Sequence, residues 1–425
     1  VSLRPEEGYD RAVEYLFARR RMGMKYGLER IRGLLAAMGN PERSFRTVHV
    51  VGTNGKGTTT ALLAETASRL GVRTGRFTSP HLLDYRERIS VDGLWIPREA
   101  VMRFLRLYAD DIDSLSATFF EVTTAMAAWW FAEQGVELAA VEAGLGGRLD
   151  ATRTFGGVAT LLTGVRLEHS RILGDTVELI AAEKVAIADP ATVLVSPRQP
   201  EGVEGVLRGA QRSLGLRRTV PSGAPASPYR GGPSANADLA WSGLTELLDV
   251  SREELKAAFA DACEDMYWPG RQDLRPGEVD MLFDVAHNPQ SMEALLETAG
   301  ELGPPLPAVV GFLRDKMHGR MSDQLAGLLD PVTATTPTDP DRALQASELA
   351  RGLRRRGVRC SVEPDIAAAV EACRQSALAS GAPAMVVTGS FFVVGEAMLA
   401  AHRRGWIEIP GLCIQLGGED RAVDG

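Results

Sequence analysis

The chain has 425 residues, 45% of them apolar and 24% charged, with a formal net charge of -8. That length exceeds what one hydrophobic core usually supports, so two domains are expected. The negative balance argues against a broad nucleic-acid footprint, and an anionic substrate would need locally placed positive charge.

Tyr9 to Met38 reads as helical, with Val13, Leu16 and Phe17 on one apolar face and Leu28, Ile31, Leu34 and Leu35 on another. The β-prone run Thr47–Val51 leads into a glycine-rich turn, a helix over Thr58–Leu70 and a strand within Val72–Thr78. Strand, turn, helix, strand is the βαβ unit of a parallel sheet. A helix over Glu121–Phe131 and strands at Glu137–Glu142 and Val158–Thr163 continue the rhythm, followed by a helix at Leu179–Ala188 and a strand at Thr192–Val195. Pro221–Pro233 reads as an exposed loop, and Asp238–Leu248 and Glu253–Ala262 resume helical character. Trp268-Pro-Gly-Arg271 breaks the pattern and reads as a domain junction. Beyond it come strands at Met281–Val285, Ala308–Phe312 and Ala384–Thr388, with helices at Ser291–Ala299, Ala343–Arg356 and Ile366–Ser380. The tail after Pro410 is polar and reads as poorly ordered.

Cys263, Cys360, Cys373 and Cys413 are scattered and form no close CxxC pair, so they read as free thiols in a reducing compartment. With no apolar leader and no run long enough to cross a bilayer, a cytoplasmic protein without a membrane partner is expected.

Gly52-Thr-Asn-Gly-Lys-Gly-Thr58 lies between a strand and a helix. In that context glycines let backbone N–H groups curve around phosphate oxygens, and the helix N-terminus adds partial positive charge. Gly52, Thr53, Asn54, Gly55, Lys56, Gly57, Thr58 and Thr59 are therefore candidate nucleotide ligands, with Lys56 reaching the terminal phosphates. The spacing differs from the usual Walker pattern, and the competing reading is a glycine-rich turn with a solvent lysine. Glu142 and His169 each follow a strand, where parallel sheets place their ligand crevice. A carboxylate, an imidazole and a hydroxyl could hold Mg²⁺, although histidine is an unusual ligand for it. The competing reading of His169 is a polar cap or a surface histidine, that of Lys184 a structural or surface lysine, and nothing in the spacing of Lys184 shows a chemical role. Asp284-Val-Ala-His-Asn288 and Arg271 place further polar groups near a strand end, with helix capping as the plainer role for His287.

The ordered set HVVGTNGKGTTT (49–60), TSPHLLDYRERI (78–89), VEAGLGGRLDAT (141–152), EHSRILG (168–174), AAEK (181–184), WPGR (268–271), DVAHNP (284–289), GFLRDK (311–316) and GSFFVVGEA (389–397) resembles the folylpolyglutamate synthase/dihydrofolate synthase family of the Mur ligase superfamily. The resemblance implies an α/β protein with a P-loop ATP-binding N-terminal domain (1–268) and a smaller Rossmann-like C-terminal domain (269–425). It places Lys56 in the phosphate loop and Ser79, Glu142 and His169 at magnesium positions. Lys184 falls on a lysine that is commonly carbamylated, which would make it a further metal ligand; Lys56, His169 and Lys184 are the implied catalytic set. Arg271 and His287 match nucleotide- or phosphate-contacting positions, with Asp284 alongside. Glu168 stands where aspartate is common, Arg153 where asparagine is common, and Gly232–Asn236 replaces a motif often containing His-Gln.

The implied chemistry is ATP- and Mg²⁺-dependent addition of L-glutamate to dihydropteroate and to reduced folates through an acyl phosphate. A chain limited to polyglutamylation, a cell-wall amino-acid ligase and an ATP-binding switch that makes no amide are the alternatives. No nucleic-acid partner is expected, and a monomer is.

Overall fold

The computed structural model describes residues 8–23, 27–221, 223–224, 234–303, 305–339 and 341–412. The chain divides into two compact units, Val1–Met266 and Tyr267–Gly425.

The strands of the first unit are β1 (Arg46–Val51), β2 (Thr74–Phe77), β3 (Ile89–Val91), β4 (Leu94–Trp95), β5 (Leu138–Glu142), β6 (Ala159–Leu162), β7 (Val193–Val195) and β8 (Arg217–Thr219). Among the described residues they form one sheet in the order β4-β3-β2-β5-β1-β6-β7-β8. All neighbours are parallel except β2–β3 and β3–β4. The central strand β1 is buried from Thr47 to Val51, which explains its unbroken β-prone run: a parallel strand covered on both faces has no polar side to alternate with.

One face of the sheet packs on the helix Lys56–Arg69 and the helices Ser234–Leu247 and Arg252–Asp265, through Val48, Val50, Leu62, Leu63, Trp241 and Phe259. Leu62 and Leu63 are fully buried; each contributes roughly 1.5–3 kcal/mol, which seats the helix beneath the loop that precedes it. The other face packs on the helices Tyr9–Ala18, Glu29–Ala37, Arg98–Ser114 and Phe119–Glu133. Trp129 joins that core, with Trp130 packed against it at a ring separation of 6.0 Å.

The second unit holds β9 (Asp273–Arg275), β10 (Asp280–Asp284), β11 (Leu306–Val310), β12 (Leu329–Ala334), β13 (Cys360–Val362) and β14 (Ala384–Thr388). Their order is β13-β12-β11-β14-β10-β9, parallel apart from the β10–β9 edge pair. Leu295, Leu306, Val310, Phe312, Leu349 and Val386 contribute to its core.

The stretch read as helical from Tyr9 to Met38 is interrupted. A helix ends at Ala18, a 3-10 turn covers Arg19–Met22, Gly23 takes a positive φ of 66°, and the next helix starts at Glu29. Most of the Pro221–Pro233 loop and the tail from Cys413 onward lie outside the described residues. Cys263 and Cys373 are buried free thiols, and Cys360 is free and half-buried. No helix among the described residues is long and apolar enough to cross a membrane.

Candidate active site

The phosphate-loop sequence forms the turn from β1 into the helix Lys56–Arg69. Gly52 has φ 143° and Gly55 has φ 84°, conformations that L side chains rarely adopt. Space excludes a side chain as well: a Cβ on Gly52 would collide with Thr163 Oγ1, and one on Gly55 with Asn236 Oδ1. Thr53 fixes the loop from the other side. Its N–H donates to Gly164 O at 2.9 Å, and its Oγ1 accepts the Arg166 N–H at 3.0 Å. Thr58 and Thr59 are buried in the first turn; the Thr59 hydroxyl donates to Asn236 O at 3.5 Å. Gly52→Ala is expected to add about 1–3 kcal/mol of backbone strain beyond the collision. A lowered thermal midpoint together with lost ADP release would show it.

Three charged side chains from distant parts of the chain converge on this loop. The Lys56 ammonium donates to Thr53 O at 3.1 Å and stands 4.0 Å from Glu142 Oε1. Glu142, the buried last residue of β5, accepts the Ser79 N–H on Oε2 at 3.0 Å. Lys184, on the helix Val177–Val185, donates to Gly52 O at 2.6 Å. It is 5% exposed, and burial, reinforced by the Lys56 charge against the opposing pull of Glu168 and Asp150, lowers its pKa to about 7. The loop after β5 is held to the same helix: Arg148 N–H donates to Glu183 O at 2.9 Å, and a Cβ on Gly147 would strike the Lys184 carbonyl. Buried Asp150 ties that loop to itself through the N–H groups of Leu145 and Thr152.

His169, unlike Glu142 and Lys184, is exposed. It has left-handed backbone (φ 51°), precedes the short helix Ser170–Leu173, and its exposed ring stands 3.7 Å from Glu168 Oε1. Among the described residues no three His, Cys, Asp or Glu side chains gather as a metal-holding group. The expected donors include only two residues of those types, Glu142 and His169, with the Ser79 hydroxyl and a modified Lys184 beside them. Mg²⁺ commonly takes one or two carboxylates and completes its octahedron with phosphate oxygens and water. A buried carboxylate at the lip of a phosphate loop fits that requirement.

The segment after β2 lines an aromatic wall. His81 stacks on Phe17 at 5.9 Å, and Tyr85 and Phe119 meet Phe17 at 6.3 and 5.6 Å. Arg88 Nε donates to His81 Nδ1 at 2.8 Å. Burial, with Arg88 and Arg20 adding to it, pushes the His81 pKa well below the usual imidazole range, so the ring is a neutral acceptor. Glu87 rigidifies the segment by accepting the N–H groups of Leu82, Leu83 and Asp84 at 2.8, 2.5 and 2.7 Å.

In the second unit, β10 ends at Asp284, which is buried and accepts the Gln272 N–H at 2.8 Å. Burial raises its pKa to about 6 against the pull of Arg271. The Arg271 guanidinium lies 4.8 Å from the Phe391 ring centroid, and His287 meets the same ring at 5.7 Å with Nδ1 3.0 Å from Val285 O. Asn288, rather than His287, caps the helix Pro289–Leu302, accepting the Ser291 N–H at 2.9 Å. Thr163 and Asn236 pack against the two loop positions Gly52 and Gly55, contacts across many residues that leave no local sequence signature, and Glu168 acts electrostatically on Lys184.

Residues 270–391 match the model of the Mur ligase glutamate ligase domain. A probable bifunctional folylpolyglutamate synthase/dihydropteroate synthase of Haloferax volcanii is 33% identical over 425 residues, covering 92% of this chain and 50% of that protein. The chain thus spans about half the length of that relative. The dihydrofolate synthase/folylpolyglutamate synthase of Bacillus subtilis is 30% identical across 75% of this chain and 82% of its own length. Among solved structures, Escherichia coli FolC in complex with DHPP and ADP superposes with a TM-score of 0.82 at 26% identity, covering 95% of this chain and 99% of that one. Sequence, two-unit α/β architecture and matched family model agree: the chain belongs to the folylpolyglutamate synthase/dihydrofolate synthase family of the Mur ligase superfamily.

Proposed function

We propose that the protein is a bifunctional dihydrofolate synthase/folylpolyglutamate synthase that uses ATP to join L-glutamate to dihydropteroate and to reduced folates. The observation that carries the reading is the gathering of Lys56, Glu142 and Lys184 at a loop where Gly52 and Gly55 leave no room for a side chain. That is a site built for phosphate beside a buried carboxylate.

A carboxylate acylates poorly because oxide is a poor leaving group. Transfer of the terminal phosphoryl of ATP to a carboxylate oxygen yields an acyl phosphate and ADP. The amine of L-glutamate then attacks the carbonyl carbon, and the tetrahedral intermediate expels phosphate and loses a proton to give the amide. Lys56 and the loop N–H groups stabilise charge on the transferring phosphoryl. Lys56 already has rest partners in Thr53 O and Glu142, so it exchanges contacts for phosphate oxygens without a new side-chain fold. Glu142, Ser79 and His169 would hold magnesium, which supplies charge neutralisation at the phosphate oxygens when bound. Lys184 joins them as a carbamate, since carbamate formation requires the neutral amine that burial favours. Arg271, Asp284 and His287 are the nucleotide-contacting residues of the second unit. The flat pterin ring lies against the wall of Phe17, His81, Tyr85 and Phe119, where a neutral imidazole avoids a buried charge.

The test is product-resolved turnover with ATP, Mg²⁺, L-glutamate and either dihydropteroate or tetrahydrofolate. An amide product with each acid is expected. Product from tetrahydrofolate alone would reduce the activity to polyglutamylation; ATP binding with no amide from either would leave a nucleotide-binding switch.

A further inference from the structure

Two arginines on the loops that follow β6 and β7 take no part in the proposed chemistry. β6 and β7 are parallel neighbours, with Leu161 opposite Val195. The loops that leave their carboxyl ends are tied together by Gln199, whose Nε2 donates to Thr163 O at 3.1 Å and whose Oε1 accepts the Val165 N–H at 3.4 Å. Arg166 and Arg198 flank this tie and are both exposed. The Arg166 backbone N–H is anchored to Thr53 Oγ1 of the phosphate loop at 3.0 Å. Its guanidinium spends one donor on Val165 O at 2.9 Å.

Among the described residues neither guanidinium has a carboxylate within ion-pair distance, whereas the acids nearby in sequence are engaged elsewhere. Glu204 is gripped by Arg218 at 2.5 and 3.0 Å, Glu201 pairs with Arg208 at 2.7 Å, and Glu168 faces His169. On a chain of net charge -8, two uncompensated guanidiniums presented from adjoining loops at the ligand end of a parallel sheet call for an anion. The nucleotide already has Lys56 and the loop amides. An acid that carries glutamyl residues brings several carboxylates along one chain, and the guanidinium fork suits carboxylate oxygens.

We propose that Arg166 and Arg198 form a subsite for the carboxylates of an acid substrate that already carries a glutamyl tail. This rests on the ligase reading above. The test pairs Arg166→Gln with Arg198→Gln in the full chain. Because exposed ion pairs are modest individually, the expected rise in KM for tetrahydrofolate diglutamate is about tenfold for the pair. KM for dihydropteroate, which has no glutamyl tail, and for ATP should change less than twofold. The difference should shrink as salt is raised. An equal rise with dihydropteroate, a rise confined to ATP (a phosphate subsite) or no change would overturn the proposal. Calorimetric binding of penta-γ-glutamate needs no turnover and separates the two readings. About tenfold weaker binding to the double variant supports the subsite even if no acid is ligated, and equal binding by both proteins removes it even if the ligase activity stands.

Discussion

Lys56→Ala is expected to lower kcat by a factor on the order of 100 to 1,000, the usual loss when one preorganised donor to a transition-state oxyanion is removed. The side chain makes one hydrogen bond, to Thr53 O, and approaches Glu142 at 4.0 Å. Neither contact holds up the fold: the helix that follows is seated by Leu62, Leu63 and Ala67 in the core. The thermal midpoint should therefore stay within a few degrees of the parent while turnover collapses. Lys56→Arg should recover little, because a planar fork cannot replace a compact ammonium in a turn this closed. Steady-state ADP release for the three proteins, with thermal denaturation alongside, checks both halves; turnover within twofold of the parent would remove Lys56 from phosphoryl transfer.

Lys184→Met should reduce turnover on the order of 100-fold, the upper range for disturbing a metal site's ligand shell. Burial first, then the Lys56 charge, brings the lysine from its ordinary 10.5 to about 7. At pH 7 roughly half of it is neutral, against about one in 3,000 for an ordinary lysine, so it can capture carbon dioxide under mild conditions. In ¹³C NMR with labelled bicarbonate, the parent should show a carbamate carbon that fades below pH 7, and the variant should show none. The same shift sets a stability slope. Between about 7 and 10.5 the unfolded chain holds a proton that the folded chain has released. In carbonate-free buffer, stability should thus rise with pH across that window, and Lys184→Met should flatten the rise. Persistence of the carbamate signal in the variant would place the modification elsewhere.

The phosphate loop was legible because its constraint is local. Gly52 and Gly55 occupy backbone regions that few residues tolerate, and a strand and a helix on either side announce the turn. Glu142 was legible for a related reason: an apolar run ending in one acid marks a buried strand end. Lys184 was different. Its hydrogen bond to Gly52 spans 132 positions, so only the family pattern pointed to it. Asn236 against Gly55 is likewise a tertiary contact with no local signature. Among the elements, Arg98–Ser114 went unread because seven of its residues are charged, masking the stripe of Val101, Phe104, Leu105 and Ile112 that it buries. β12 carries Pro331, which reads as a break in a sequence and is accommodated in a strand whose partners pair around it.

The most direct test of the account is to follow oxygen. With dihydropteroate labelled by ¹⁸O in both carboxylate oxygens, passage through an acyl phosphate requires that one labelled oxygen leave with the phosphoryl group. Mass spectrometry of the inorganic phosphate after ligation to L-glutamate should find one ¹⁸O per amide formed, with ADP as the other product. Unlabelled phosphate, or AMP and pyrophosphate in place of ADP and phosphate, would contradict the mechanism on which the site assignment depends.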